Sequence, residues 1–331
     1  MKALVTGGSG FIGSRLAMSL RARGAEVVAF GQQNGPAESA NAAELEGCGV
    51  KVALGSVTRP ADLAAVVAGV DVVFHLAAAQ HEANVADSLF HEVNVEGTRN
   101  VIDASLRAGV RRLVHGSTIG VYRAEPASVV DERAPLQPLN VYGRTKLEAE
   151  RLVQALDRRL PWVVVRISET FGPGDRRLLK LFRGVAKGRF PLIGPGLNLH
   201  HPIYIDDLVE CLVRAAESPA AVEQTFVAAG PEVVTSRNMI EETARALGVR
   251  ARIIRLPLKP LWMLARALEW TMTPLGLQPP IHRRRLNFFI LGFHFQENRT
   301  RLLLDYEPAT RFSPGIRNTL QWYREQNLLA P

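Results

Sequence analysis

Thr6-Gly7-Gly8-Ser9-Gly10-Phe11-Ile12-Gly13 lies between the β-branched run Lys2–Thr6 and the apolar-periodic stretch Phe11–Arg23. A strand, a glycine-rich turn and a helix in that order form a phosphate cradle. Gly7 permits the tight turn, Gly10 lets the backbone approach a pyrophosphate, and Gly13 lets helix and strand pack closely. The helix N-terminus adds unpaired N–H groups and a partial positive charge. The spacing is GxxGxxG, one residue longer than GxGxxG. Its setting after a strand and before a helix points to dinucleotide binding rather than to a bare turn. Backbone from Gly7, Gly8, Ser9, Gly10, Phe11, Ile12 and Gly13 is the expected contact surface.

Outward from this stretch the chain alternates strands and helices. Apolar runs at Glu26–Phe30, Val50–Leu54, Asp71–Leu76, Arg111–Gly116 and Trp162–Ile167 predict strands. Helical patterns occupy Ala61–Ala68, Asp87–Ala108 and Val141–Leu160. Continuous apolar strands imply a sheet covered on both faces. The expected class is α/β, a Rossmann-type doubly wound parallel sheet over residues 1–170. After Gly172, Pro173, Gly174, Pro191, Gly194, Pro195 and Gly196 punctuate a loop-rich region. Helical patterns return at Asp206–Glu217, Ser236–Leu247, Pro260–Thr271 and Pro314–Gln326. They predict a smaller C-terminal α/β substrate lobe over residues 171–331, with some chain crossing back to the first domain.

Composition narrows the function. The 331 residues carry a net charge of +8, which fits an anionic small-molecule substrate. The basic residues are scattered in pairs, such as Arg111-Arg112 and Arg176-Arg177, and read as solvated surface. Net charge alone is no nucleic-acid signature, so no nucleic-acid partner is expected. Cys48 and Cys211 stand far apart and form no CxxC pair, which fits a reducing cytoplasm. The eight histidines show no HExxH or comparable spacing, so no metal is expected. The apolar stretch Leu256–Leu275 is interrupted by Lys259, Arg266, Glu269 and three prolines. It is too charged to span a bilayer, which leaves a core or dimer helix, or one lying on a membrane surface.

At the ribose end of the cradle, an acid about 20 residues on would select NAD. Gly31-Gln32-Gln33 stands there instead, with no following arginine for a 2′-phosphate; Arg15 is the one basic group in reach. NAD is the expected cofactor, with NADP left open.

Tyr142-Gly143-Arg144-Thr145-Lys146 sets a phenol and an ammonium one helical turn apart on one face. A phenol with a pKa near ~10 is a poor base at neutral pH. A neighbouring ammonium and a cationic nicotinamide would stabilise its phenolate. Tyr142 could then exchange a proton with a hydroxyl while hydride moves at the same carbon. Ser117-Thr118 closes the fifth strand at the edge where ligands bind in such sheets, and a hydroxyl there can orient the reacting oxygen.

Taken together these residues resemble the extended short-chain dehydrogenase/reductase family, also called the NAD-dependent epimerase/dehydratase family. The resemblance runs through Thr6–Gly13, HLAA at His75–Ala78, NVEGTRN at Asn94–Asn100 and GSTIGVY at Gly116–Tyr122. It continues through YGRTK at Tyr142–Lys146, FGPGD at Phe171–Asp175, HPIYIDDLV at His201–Val209 and LDYEPA at Leu304–Ala309. It implies a Rossmann domain, a C-terminal substrate lobe and homodimers packed through the two long helices. It makes Tyr142 the acid/base, Lys146 the anchor of the nicotinamide ribose and Thr118 the hydroxyl partner. Gly31, Gln32, Gly55, Ser56, Leu76, Ala77, Ala78, Ser117 and Ile167 would line the cofactor with the glycine loop.

Departures from the family pattern bear on substrate. Its sugar dehydratases carry Asp-Glu after the catalytic hydroxyl, and this chain has Ile119-Gly120, so dehydration is disfavoured. Members acting on nucleotide sugars often have Asn in place of Glu169 and Arg in place of His200. Glu169 would repel a diphosphate unless protonated or paired with Arg176 or Arg177. Thr118, Glu169, Arg177, His200 and Arg285 are the expected substrate contacts. The segments Gly172–Gly194, Pro257–Leu275 and Arg283–Phe289 resemble the 3β-hydroxysteroid dehydrogenase branch. The expected activity is an NAD(P)-dependent epimerase or dehydrogenase acting on a secondary alcohol of a sugar, nucleotide-linked. The alternative is a 3β-hydroxysteroid-type or other lipid alcohol dehydrogenase, and behind both stands a non-catalytic dinucleotide-binding protein.

Overall fold

The computed structural model describes residues 1–80, 86–123, 129–156, 158–250, 252–272, 286, 292–296 and 299–329. Seven parallel strands form the central sheet: β1 (Lys2–Thr6), β2 (Glu26–Gly31), β3 (Lys51–Leu54), β4 (Val72–His75), β5 (Arg112–Thr118), β6 (Trp162–Ile167) and β7 (Gln224–Ala228). Their spatial order is β7-β6-β5-β4-β1-β2-β3. The chain runs outward from β1 to β3, then returns to the other side of β1 through β4. The crevice at that reversal opens at the carboxyl ends of β1 and β4, where Thr6 pairs with His75 in register.

Period-two alternation sends side chains to both faces. Ala3, Val5, Phe74, Val114, Val163 and Val165 pack with Leu16, Leu20, Leu208 and Leu212. These come from α1 (Phe11–Ala22) and from the later helix Ile205–Glu217. Leu4, Val28, Val73, Leu113 and Val164 face the opposite way onto Leu63, Val101 and Val153. That side is covered by the helices Pro60–Val67, Gly97–Ala108 and Val141–Gln154.

Among the elements not predicted from the sequence, three bear on the architecture most. Pro36–Gly47 is a helix although its polar composition gives it no apolar stripe; only Ala42 and Leu45 are buried. Leu179–Ala186 is a helix within the stretch read as loop-rich. The seventh sheet strand, Gln224–Ala228, comes from the region assigned to the second lobe and pairs with β6 from Gln224↔Val163 to Ala228↔Ile167. Its neighbour in space lies some sixty positions back, so no local pattern marks it. The long helix expected over Asp87–Ala108 is an α-helix at Asp87–His91, a π-helical turn at Glu92–Glu96 and an α-helix from Gly97.

In the region assigned to the second lobe, Arg189–Ile193 pairs in parallel with Arg252–Leu256, and Leu199–His200 pairs antiparallel with Val234–Thr235. The C-terminal helix Phe312–Glu325 closes over it, with Phe312 against Phe171. Among the described residues no helix is long and apolar enough to cross a membrane.

Candidate active site

The glycine loop is shaped by what it excludes. Gly7 has φ +70°, and a Cβ there would sit 2.9 Å from the Ala77 nitrogen. A Cβ on Gly13 would collide with the Gly7 carbonyl oxygen. The loop is stitched to the sheet by Gly8 N–H donating to Phe30 O at 3.1 Å. Gly10 begins α1 with no side-chain cap, and no acid occupies the first turn. The end of α1 therefore offers backbone N–H groups to an anion lying over the loop. This bare cradle fits a dinucleotide pyrophosphate. Leu76, Ala77 and Ala78 follow β4 directly beside it, and Thr6 Oγ1 accepts the Ala77 N–H at 3.3 Å.

At the ribose end, Ser9 Oγ donates to Gln32 O at 2.8 Å, and Asn41 donates to Ser9 O at 2.8 Å. These bonds fix the loop after β2 against the cradle. Gly55 and Ser56 follow β3, where the Asp62 carboxylate accepts the Ser56 N–H at 2.9 Å. Arg15, the one basic group considered for a 2′-phosphate, is bound through two nitrogens to Asp206 at 2.6 and 3.1 Å. It is committed to the neighbouring helix and not to the ribose pocket.

The Tyr–Lys helix docks beside the end of β5 because Gly143 allows it. Asn140 caps Val141–Gln154 by accepting the Gly143 N–H at 2.8 Å. A Cβ on Gly143 would strike the Gly120 carbonyl oxygen. That close approach brings the Tyr142 phenol to the side of the Thr118 hydroxyl, which favours its ionised form. Thr118 pairs with Ile167 across β5 and β6. One turn on, Lys146 is 2% exposed and donates to Gly116 O at 2.7 Å. Burial pushes the Tyr142 phenol up to about 12, against the opposing pull of Thr118 and the Arg177 guanidinium. Burial brings the Lys146 ammonium down to about 8, partly offset by Glu150. At neutral pH the pair is a phenol holding its proton beside an ammonium, poised to give a proton to a carbonyl oxygen.

Ile119 is buried with Val121 and Leu147, and Gly120 turns back on Thr118. Neither position following the Thr118 hydroxyl carries a group that could transfer a second proton.

Asn94 was quoted in a motif but assigned no role. It sits fully buried in the π-helical turn, a feature frequent at functional sites. Its Oδ1 accepts the Ala79 N–H at 2.8 Å, and its Nδ2 donates to Ala79 O at 3.2 Å and to Thr145 Oγ1 at 3.0 Å. It thereby joins the loop after β4 to the residue preceding Lys146. The extra backbone residue of the π turn is not visible as a sequence pattern.

His75, the first residue of the HLAA motif, is a buried hydrogen-bonded ring between Thr6 Oγ1 at 2.8 Å and Thr98 Oγ1 at 2.9 Å. Thr98 spends its own proton on Asn94 O, so His75 is neutral and donates through Nε2. Burial holds His75 at about 3 and His201 at about 4, and pushes the fully buried His115 well below the usual imidazole range. Below about pH 6.5 the unfolded chain protonates these rings while the fold does not. Stability is then present above that pH and is lost as pH falls, by roughly 1.4 kcal/mol per pH unit for each ring. Urea unfolding at about pH 7.5 and about pH 5 is expected to show this loss, and equal stabilities would contradict it.

The second-lobe residues are drawn to one another. Glu169 pairs with His200, whose Nδ1 lies 2.9 and 3.0 Å from its carboxylate oxygens. The far side of that ring meets Ser236 Oγ and Asn198 Nδ2, each at 2.9 Å. Arg177 is not the partner of Glu169 that the sequence offered. It binds the buried Asp175 at 2.9 and 3.1 Å and Thr170 O at 2.7 Å, and lies over the Phe11 ring. Arg285 lies outside the described residues. No group of three or more histidine, cysteine or acidic side chains able to hold a metal is present among the described residues.

Residues 3–229 match the model of the NAD dependent epimerase/dehydratase family. The chain belongs to that family. Its members are NAD-dependent enzymes, and NAD is the cofactor for this family member. It is 31% identical over 96% of its length to 98% of the 2-alkyl-3-oxoalkanoate reductase of Stenotrophomonas maltophilia. It is 32% identical over 96% of its length to 95% of the 4-hydroxy-2-methyl-3-oxo-4-farnesyl-3,4-dihydroquinoline-1-oxide ketoreductase of Stigmatella aurantiaca. The family member also shares its fold with UDP-glucuronic acid 4-epimerase from Bacillus cereus, solved in complex with NAD. That likeness has a TM-score of 0.80 at 23% identity and covers 98% of this chain and 99% of the other.

Proposed function

We propose that this family member is an NAD-linked ketoreductase or alcohol dehydrogenase acting on a secondary alcohol carbon of a largely apolar molecule. When bound, the nicotinamide supplies or accepts hydride at that carbon. Tyr142 moves the proton at the substrate oxygen, giving it to the ketone in reduction and receiving it from the alcohol in oxidation. Thr118 holds the same oxygen by a hydrogen bond. Lys146 keeps an ammonium behind the phenol, which favours the phenolate left after proton transfer.

The observation that carries the substrate class is the Glu169–His200 pair at 2.9 Å. A diphosphate needs uncompensated cations, and a carboxylate facing it costs several kcal/mol. Here His200 is engaged by an acid, and Arg177 is engaged by Asp175. That arrangement supports a weakly charged substrate over the nucleotide sugar placed first on sequence grounds. Two relatives matched over nearly their whole length are a 2-alkyl-3-oxoalkanoate reductase and a farnesyl-dihydroquinoline-oxide ketoreductase, whose substrates bear alkyl or farnesyl chains. Their names support the same reading.

Thermal shift in the presence of NAD tests it. A 2-alkyl-3-oxoalkanoate is expected to raise Tm in proportion to its saturation, and UDP-sugars are expected to leave it unchanged. Stabilisation by UDP-sugars and not by the ketone would contradict the proposal.

A further inference from the structure

Beneath the Tyr142–Lys146 face a group of polar side chains is sealed from water. Glu150, one turn beyond Lys146, has no exposed surface, and Arg166 on β6 is 3% exposed. Arg166 Nη2 and Nε donate to Glu150 Oε1 at 2.5 and 3.2 Å, and Nε also reaches Oε2 at 3.2 Å. Arg166 Nη1 donates to the Tyr122 hydroxyl at 2.5 Å and to Glu132 O at 3.0 Å. Glu150 Oε2 accepts from Ser117 Oγ at 2.8 Å, and Gln154 donates to Oε1 at 3.1 Å.

A buried ion pair is a poor device for stability alone, because desolvating both ions offsets most of their attraction. Directional, charge-assisted bonds can instead fix how elements register. This carboxylate bonds to β5 through Ser117 and to β6 through Arg166, while its own helix carries Tyr142 and Lys146. Ser117 is the residue before Thr118.

We propose that Glu150, held by Arg166, is a positioning residue that sets the Thr118 hydroxyl against Tyr142 and Lys146 by anchoring Ser117. It touches no reacting atom, and its role rests on the assignment of that trio under Proposed function.

The groups around Lys146 are few. Glu150 lies on its own helix. His75 on β4 and His115 on β5 are neutral, and Arg166 stands behind Glu150 on β6. From the helical run Asp87–Ala108, Asn94 bonds Thr145 beside Lys146 and Thr98 bonds His75, with Glu92 exposed and Glu96 paired to Arg99. Near Tyr142 the further charge is Arg177. A change at Glu150 is therefore read at Tyr142 with few competing titrations.

The test uses Glu150→Gln and the milder Ser117→Ala, which cuts only the link to β5. Each is read in the NAD complex by ultraviolet titration of the Tyr142 phenol, as the difference from the same background carrying Tyr142→Phe. Tyr142 is expected to ionise about one pH unit higher in Glu150→Gln and about half that in Ser117→Ala. With a 2-alkyl-3-oxoalkanoate, kcat is expected to fall about 10- to 100-fold in Glu150→Gln, with KM within about threefold. Simple loss of a negative charge would move Tyr142 the other way, to lower pH. An unchanged or downward titration in either variant overturns the proposal. The titration needs no substrate, so an inert ketone would count against the proposed substrate class and not against this role.

Discussion

Tyr142→Phe is expected to lower kcat for ketone reduction by about 10²- to 10⁴-fold, the usual contribution of a positioned acid or base. The ring keeps its packing, and only the hydroxyl is lost. NAD affinity is expected to stay within about threefold of wild type, because the cradle at Gly7, Gly10 and Gly13 is untouched. The loss should appear equally in kcat and kcat/KM, the mark of an interaction made in the transition state. Steady-state kinetics with titration calorimetry for NAD check both halves. Full turnover by Tyr142→Phe would remove Tyr142 from the chemistry.

Gly13→Ala is the second large effect, and it acts on binding. The added methyl would enter the space of the Gly7 carbonyl oxygen, which is backbone and cannot rotate away. The first turn of α1 must then lift from β1, at a cost of about 1–3 kcal/mol in stability. The N–H groups aimed at the pyrophosphate move with it. Losing one or two charge-assisted bonds, each worth about 1.5–3 kcal/mol, weakens NAD binding by about 10- to 10⁴-fold. Gly24→Ala is the control. Gly24 has φ +84° with nothing within 4 Å of its added Cβ, so it carries backbone strain without obstruction. It is expected to lose some stability and to bind NAD normally. Calorimetry showing normal NAD binding by Gly13→Ala would refute the assignment of the cradle.

The parts of the fold that could be read in advance are those with local signatures. Lys2–Thr6 is apolar and β-branched, Gly7–Gly13 has the turn chemistry, and Phe11–Ala22 has the apolar stripe; the structure keeps the strand and its helix at those positions. Tyr142 and Lys146 were legible because helical spacing fixes their common face. Pro36–Gly47 was not, because it buries only Ala42 and Leu45 and its remaining alanines and polar residues form no apolar stripe. Gln224–Ala228 is short, begins with Gln and Thr, and becomes a strand through pairing with distant β6. The Glu150–Arg166 pair joins residues 16 apart in sequence but on different elements, and nothing in their local sequence marks either as buried. The second lobe shows the same limit. Glu169, Arg177 and His200 were recognised as residues of interest, but which acid each cation meets is decided by tertiary approach. In the structure Arg177 meets Asp175 in an ion pair, and the His200 ring meets the Glu169 carboxylate in a hydrogen bond.

The most direct measurement of the central claim follows the absorbance of reduced nicotinamide when the purified protein, loaded with NADH, is mixed with a 2-alkyl-3-oxoalkanoate. Loss of one equivalent of NADH per equivalent of secondary alcohol formed, slowed by about 10²-fold or more in Tyr142→Phe, is the expected result. Persistence of NADH with that ketone, together with interconversion of a UDP-sugar by the NAD-loaded protein, would contradict it.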